Sequence, residues 1–270
     1  MQSTSVVAPA VKELVVLSNI ERGGILSPPK AGLCIRLVGR GRESYRIGRR
    51  AFHLDESQIM IAAQDGGAEI DVPQLDRNGT VGLCVYLAYE PEEAPWLAGP
   101  LVAGSGCTAL GTMMESYTKL LGKPGSDKQA VAASLTGALR SAMPAVTSSV
   151  LEQAASMDAA KPSTRFEMVR RANLAQAYLH SVRDRAVSLD ELAKSVGTSP
   201  FQLLRAFQRC FGDTPASYHR RLRLTLAMDE AARKEVSISA VAADFGFADV
   251  SSFSHAYRRV FGRAPVWSRS

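Results

Sequence analysis

One stretch of this chain occurs twice. Leu189, Leu192, Ala193, Val196 and Gly197 recur 49 residues later as Ile238, Val241, Ala242, Phe245 and Gly246. Phe207, Phe211, Gly212 and Pro215 recur 50 residues later as Tyr257, Phe261, Gly262 and Pro265. The single-residue change of offset falls between the two blocks, where a turn absorbs it. A duplicated block with internal apolar spacing restricts the C-terminal part of the chain to two copies of one supersecondary unit.

Each copy predicts a helix, a tight turn and a second helix. Ser188 is placed to cap the first helix, with Glu191 three residues on completing a capping box, and Gly197 ends it. Ser199-Pro200 restarts a helix that Gly212 closes. In the second copy Ser237 caps, Gly246 breaks, Asp249 recaps and Gly262 ends. This order is that of a helix-turn-helix, whose second helix is the one that enters a DNA major groove. Leu203, Phe207 and Phe211 form the apolar stripe of the first such helix, leaving Phe201, Gln202, Arg205, Gln208 and Arg209 facing outward. Phe253, Tyr257 and Phe261 do the same in the second, leaving Ser251, Ser252, Ser254, His255, Arg258 and Arg259. Arginine and glutamine suit bidentate contact with guanine and adenine edges, and serine suits base or phosphate. The stretch from Thr214-Pro215 to about Arg233 predicts a connecting helix, along which Arg220, Arg221 and Arg223 are expected beside the DNA backbone.

Charge agrees with that reading. The chain has 270 residues and a net charge of +6. Residues 161–270 hold 18 lysines and arginines against 10 acids, whereas residues 1–160 hold 14 against 16. The positive excess therefore lies wholly after residue 160 and points to an acidic polymer or surface as partner. With 46% hydrophobic residues the chain builds a real core, which excludes gross disorder. No window approaches the ~20 apolar residues of a membrane helix, and the first residues carry no secretory pattern. Cys34, Cys84, Cys107 and Cys210 fall in no paired spacing, so a reducing cytoplasm is expected.

Residues 11–90 predict short strands separated by turns: Leu33–Val38, Glu43–Ile47, Gln58–Ala62 and Val81–Ala88, with turns at Gly39-Arg40-Gly41, Gly48 and Asp65-Gly66-Gly67. Their spacing suggests a small antiparallel sandwich or barrel. The pattern then becomes helical. Leu110, Met113, Met114, Tyr117, Leu120 and Leu121 make one apolar stripe. Val131, Leu135, Ala138, Leu139, Ala142 and Met143 make another. Such a hairpin packs on the sheet or against a second copy, with Leu110, Met113, Tyr117, Leu120, Leu135 and Leu139 as the dimerisation candidates. The small, polar run at 155–164, with Pro162 as a helix breaker, marks a boundary. Domains are therefore expected at 1–155 and 165–270, joined by a linker at 156–164.

Enzyme motifs are missing. Gly39-Arg40-Gly41 has Ser44 where a dinucleotide loop needs its third glycine, and Gly104-Ser105-Gly106 lacks the spacing of a nucleophile elbow. His53, His180, His219 and His255 are dispersed, so neither a catalytic triad nor a metal site is expected, and no cofactor is implied. Cys34 and Cys84, flanked by aliphatic residues, are expected to be inert core. Cys107, in a Gly/Ser-rich stretch, is the better redox candidate. Arg36, Tyr45, Tyr86 and Trp96 offer polar handles and aromatic walls for a small-molecule pocket, and equally suit ordinary core or surface.

The segment GFADVSSFSHAYRRVFGRAP (246–265), with SLDELAKSVGTSP and FQRCFGDTPASY earlier, resembles the AraC/XylS family of bacterial transcription regulators over about residues 165–269. His255 stands where the family commonly has arginine, and Trp267-Ser268 replaces a tyrosine spacing after Pro265. Residues 33–63 are similar to the cupin-like effector domains that often precede this module. The resemblance implies an α+β multidomain chain with an N-terminal cupin-like β-barrel and helical hairpin, followed by an all-α domain of two helix-turn-helix units. It implies a homodimer with double-stranded DNA as partner, a small-molecule effector, and RNA polymerase if the protein is an activator. The rival from another class is a cupin-type binder or enzyme whose helical half mediates protein contacts. A regulator without effector, or one set by cysteine redox state, is a further alternative.

Overall fold

The computed structural model describes residues 2–7, 13–20, 24–26, 32–47, 50–63, 68–72, 80–88, 95–97, 99–234 and 237–265. The chain divides into two compact units, Met1–Leu174 and Ala175–Ser270.

The first unit carries two antiparallel sheets. Strands β1 (Gln2–Val7), β2 (Leu14–Ile20), β4 (Leu33–Arg40), β7 (Gln58–Ala63), β9 (Thr80–Leu87) and β10 (Leu101–Gly104) form one, in the order β1-β2-β9-β4-β7-β10. Strands β3 (Gly24–Leu26), β5 (Glu43–Ile47), β6 (Arg50–Leu54) and β8 (Ala68–Val72) form the other, in the order β3-β8-β5-β6. The four expected strands are present to within two residues at each end. β1 and β10 lie outside the expected 11–90 window; β10 is only four residues long, too short to display a period. The turns expected at Gly48 and Asp65-Gly66-Gly67 lie outside the described residues.

Burial explains why the strands show a mixed period. Leu33 to Val38 are buried without interruption, as are Gly82 to Leu87. A strand covered on both faces reads as a continuous apolar run instead of an alternation. One face of the larger sheet, through Arg36, meets Glu43 of the smaller sheet. Helices α1 (Ala109–Gly122) and α2 (Lys128–Ser156) pack on the same sheet, α1 against β2, β4 and β9, and α2 against β1. Thr108 caps α1 and Asp127 caps α2 through their side-chain oxygens. The chain leaves α2 at Ser156 and re-enters helix at Pro162, the first residue of α3 (Pro162–Ser181). In α3, Arg170 donates to the Trp96 carbonyl at 3.1 Å.

Helices joined by turns make up the described residues of the second unit, with no strand among them: the end of α3, then α4 (Leu189–Ser195), α5 (Pro200–Phe211), α6 (Pro215–Lys234), α7 (Ile238–Asp244) and α8 (Val250–Phe261). The repeat appears at the level of single atoms. Ser188, Ser199, Ser237 and Asp249 each accept a backbone N–H three residues on. Gly197, Gly212, Gly246 and Gly262 all have φ between 66° and 72°, the left-handed conformation that ends helices. The ring of Phe207 meets Phe211 at 4.7 Å, and in the second copy Tyr257 meets Phe261 at 4.4 Å. Leu192, Leu203 and Phe207 are buried in the first copy, and Val241, Phe245, Phe253 and Tyr257 in the second. Among the described residues no helix is long and apolar enough to cross a membrane.

Candidate nucleic-acid interface

Helix α5 turns Leu203, Ala206 and Phe207 inward and leaves a polar face, with Phe201 at its start, outside. Phe201, Gln202, Arg205, Gln208 and Arg209 are all exposed, while Leu203, Ala206 and Phe207 are buried. Phe201 is 67% exposed, and the Arg205 guanidinium lies over its ring at 5.6 Å from the centroid. The Gln202 side chain accepts from the Thr198 hydroxyl at 3.1 Å, which tethers the start of the face to the preceding turn. On α8, Ser251, Ser252, His255, Arg258 and Arg259 are exposed and Ser254 is half-buried. All twelve residues expected to meet DNA, Arg220 of α6 included, therefore reach solvent at least in part.

The arginines of α6 divide into three roles. Arg220 is exposed. Arg221 pairs with Asp213 at 2.8 Å. Arg223 corrects the expectation of a residue beside the DNA backbone, because it is buried. It donates to the carbonyls of Arg183 and Phe245, and its guanidinium stacks over Phe247 at 4.9 Å. Burial holds its pKa below the ordinary arginine value. The helical period of α6 carries this residue to the inner face, a position that a run of closely spaced arginines conceals.

Electrostatics favour a rigid frame behind the face. Glu191 sits at about pH 2, held down by hydrogen bonds from Arg185 and Tyr178 and by the Ser188 backbone N–H, which completes the capping box. Burial lowers His180 to about 4, with Arg183 and His219 adding to the effect. Its Nε2 contacts the Tyr218 hydroxyl at 2.8 Å, and His219 Nε2 contacts the Val182 carbonyl at 2.6 Å.

The sequence expectations in the first unit meet a different environment. Arg36 is buried, with Nε donating to Glu43 at 2.9 Å and Nη2 donating to the Ser18 hydroxyl at 3.0 Å. The Tyr45 hydroxyl donates to the same carboxylate at 2.5 Å. Burial pushes the Tyr45 phenol upward. Gly82 makes room for this network, because a Cβ there would meet Arg36 Nη2 at 2.6 Å. Tyr86 and Trp96 are also buried, and the Trp96 indole N–H has no acceptor among the described residues. Glu43, which unites the network, escapes sequence reasoning because it joins Tyr45 of its own strand to Arg36 on the opposite sheet. Among the six dimerisation candidates, Leu110, Leu135 and Leu139 are buried in the unit's own core. Met113 and Tyr117 are half-buried, with the Tyr117 hydroxyl bonded to Ser134, and Leu120 is 46% exposed. The side chains of His53 and Cys107, and all of Trp267 and Ser268, lie outside the described residues. Among those described, no group of three or more metal-ligating side chains occurs.

Comparison with known proteins bears on the duplicated unit. A family model described as a helix-turn-helix domain matches residues 192–268. The regulatory protein SoxS of Escherichia coli is 34% identical over 89 residues, which cover 33% of this chain and 83% of SoxS. The chain belongs to the AraC/XylS family of transcription regulators. The HTH-type transcriptional regulator GbdR of Pseudomonas aeruginosa is 36% identical over 89 residues, but the match spans only 24% of GbdR. A transcriptional regulator of Chromobacterium violaceum, described as containing an AraC-type DNA-binding domain, is 29% identical. That alignment covers 35% of this chain and 85% of that one, with a TM-score of 0.33. SoxS and GbdR are regulators by name.

Proposed function

We propose that the protein is a sequence-specific, double-stranded-DNA-binding transcription regulator in which α5 and α8 read neighbouring major-groove segments. The observation that carries this reading is the exposed face of α5, where Gln202, Arg205, Gln208 and Arg209 project from a helix whose other side is core. Side chains on a capped helix are held in fixed register, and arginine and glutamine match the purine edges of that groove. The two capped helix pairs act as two helix-turn-helix units. Helix α6, with 20 residues and so about 30 Å long, separates them by close to one ~34 Å turn of DNA. Arg220 neutralises phosphate. The positive excess after residue 160 supplies the salt-dependent part of the affinity.

The functional division follows 1–155, 156–164 and 165–270, with a cupin-like sensing part before the DNA-binding part in a cytoplasmic regulator. The buried indole N–H of Trp96, without an acceptor among the described residues, favours a small-molecule effector that carries one. The exposed Leu120 of α1 and Leu151 of α2 favour association through the helical hairpin into a homodimer. RNA polymerase is the further partner if the protein activates. Selection of bound duplexes from a random library with the full chain tests the reading. Enrichment of a two-part motif, with binding that falls steeply with salt, is expected; no enrichment over bulk DNA would overturn it.

A further inference from the structure

Two thiols that the sequence keeps 50 residues apart meet inside the first unit. Cys34 of β4 and Cys84 of β9 have their sulfurs 3.4 Å apart, and both are buried. In the register of the two strands Cys34 lies opposite Tyr86 and Arg36 opposite Cys84, so all four side chains share one face. Arg36 reaches across to Glu43 on the smaller sheet, so the thiols face the space between the sheets.

The pair is chemically unequal. Burial alone raises the Cys84 thiol, but the hydrogen bond from Cys34, the Arg36 guanidinium and a hydrogen bond from Tyr86 outweigh it and bring the pKa below the ordinary value. The hydrogen bond to Cys84, and then burial, drive Cys34 well above it. Cys84 is thus the thiolate former and Cys34 the thiol that supports it. Reactivity follows thiolate character. By contrast Cys210 of α5 is pushed up to about 12 by burial.

We propose that Cys34 and Cys84 form an oxidisable dithiol that closes to an intramolecular disulfide on reaction with a peroxide. The Cys84 thiolate attacks one peroxide oxygen and the O–O bond breaks. The departing hydroxide takes up a proton to become water, leaving Cys84 as a sulfenic acid. The Cys34 sulfur then attacks the Cys84 sulfur, forming the S–S bond, and the hydroxyl leaves with the Cys34 proton as a second water. Two thiols and one hydrogen peroxide become one disulfide and two waters. Closure asks the sulfurs to approach by on the order of 1 Å, since a disulfide bond is ~2.05 Å long. The bond would staple the two central strands of the six-stranded sheet.

The full chain is treated with hydrogen peroxide and its intact mass and peptides are measured. A loss of about 2 Da, a crosslink between the peptides carrying residues 34 and 84, and two fewer titratable thiols after denaturation are expected. In Cys34→Ser the crosslink is lost and dimedone captures a sulfenic acid on Cys84, whereas in Cys84→Ser residue 34 stays unmodified. An unchanged mass at peroxide levels that oxidise the same chain when unfolded would overturn the proposal. So would a disulfide to Cys107 or Cys210, or dimedone capture on Cys34 in place of Cys84. The wild-type measurement decides the matter even if neither variant folds.

Discussion

The guanidinium of Arg223 closes the end of another helix: from α6 it donates at 3.1 Å to the carbonyl of Phe245, the residue that terminates α7. The last carbonyls of a helix have no partner within it. Here a side chain from the connecting helix supplies the donor, reaches the Arg183 carbonyl as well, and covers Phe247.

Replacing that group removes donors from buried acceptors. Arg223→Ala is expected to destabilise the helical unit by about 2–4 kcal/mol, and Arg223→Lys by less, since it keeps charge but loses the fork. Denaturant unfolding measures both. A loss below about 0.5 kcal/mol would place Arg223 among ordinary surface arginines, within the usual range for surface changes.

Arg205 and Arg220 are expected to fail in different ways. Arg205→Ala should cost ~1–3 kcal/mol on the selected sequence and much less on unrelated duplexes, the mark of a base contact. Arg220→Ala should weaken every duplex alike and reduce the salt slope by about one. Binding titrations at several salt concentrations separate the two, and an equal loss on all sequences for Arg205 would assign it to phosphate.

Two glycines with one conformation carry different loads. Gly262, at φ 72°, has open space where a Cβ would stand, so Gly262→Ala meets only the backbone cost, roughly 1–2 kcal/mol. At Gly246, φ 69°, a Cβ would stand 1.9 Å from the Asp184 carbonyl oxygen, and the backbone itself must move. Gly246→Ala is therefore expected to cost at least twice as much, as read by the shift in denaturation midpoint.

Acid should loosen the second unit before its carboxylates titrate. His180 is held down to about 4 in the fold, against an ordinary value near 6.5, and burial lowers His219 too. Between those two pH values the unfolded chain binds protons that the folded chain refuses, so stability is full above about 6.5 and falls as pH drops towards 4. Unfolding free energies measured from pH 7 to 4 should decline, and His180→Gln should flatten the slope.

Legibility in this chain follows the range of the interactions involved. Ser188, Ser199, Ser237 and Asp249 cap helices three residues away, so each boundary is written within one turn of chain. The outward residues of α5 follow from the i, i+4, i+8 spacing of Leu203, Phe207 and Phe211. Strands were harder, since β4 and β9 are buried on both faces and lose the alternation that marks a sheet. The stripe with Leu135 and Leu139 suits the sheet or a second copy equally in sequence, and burial assigns both residues to the unit's own core.

The duplicated helix pairs, their capped ends, the sign of their charge and the faces they expose are all legible along the chain. All of these are set by contacts within a few residues or by composition. Tertiary packing alone turns Arg223 inward, joins Arg36 and Tyr45 to Glu43, and sets Cys34 against Cys84. Strand register and helix packing bring those groups together across as many as 50 residues, and a periodic pattern records which face a residue lies on, not what it meets there.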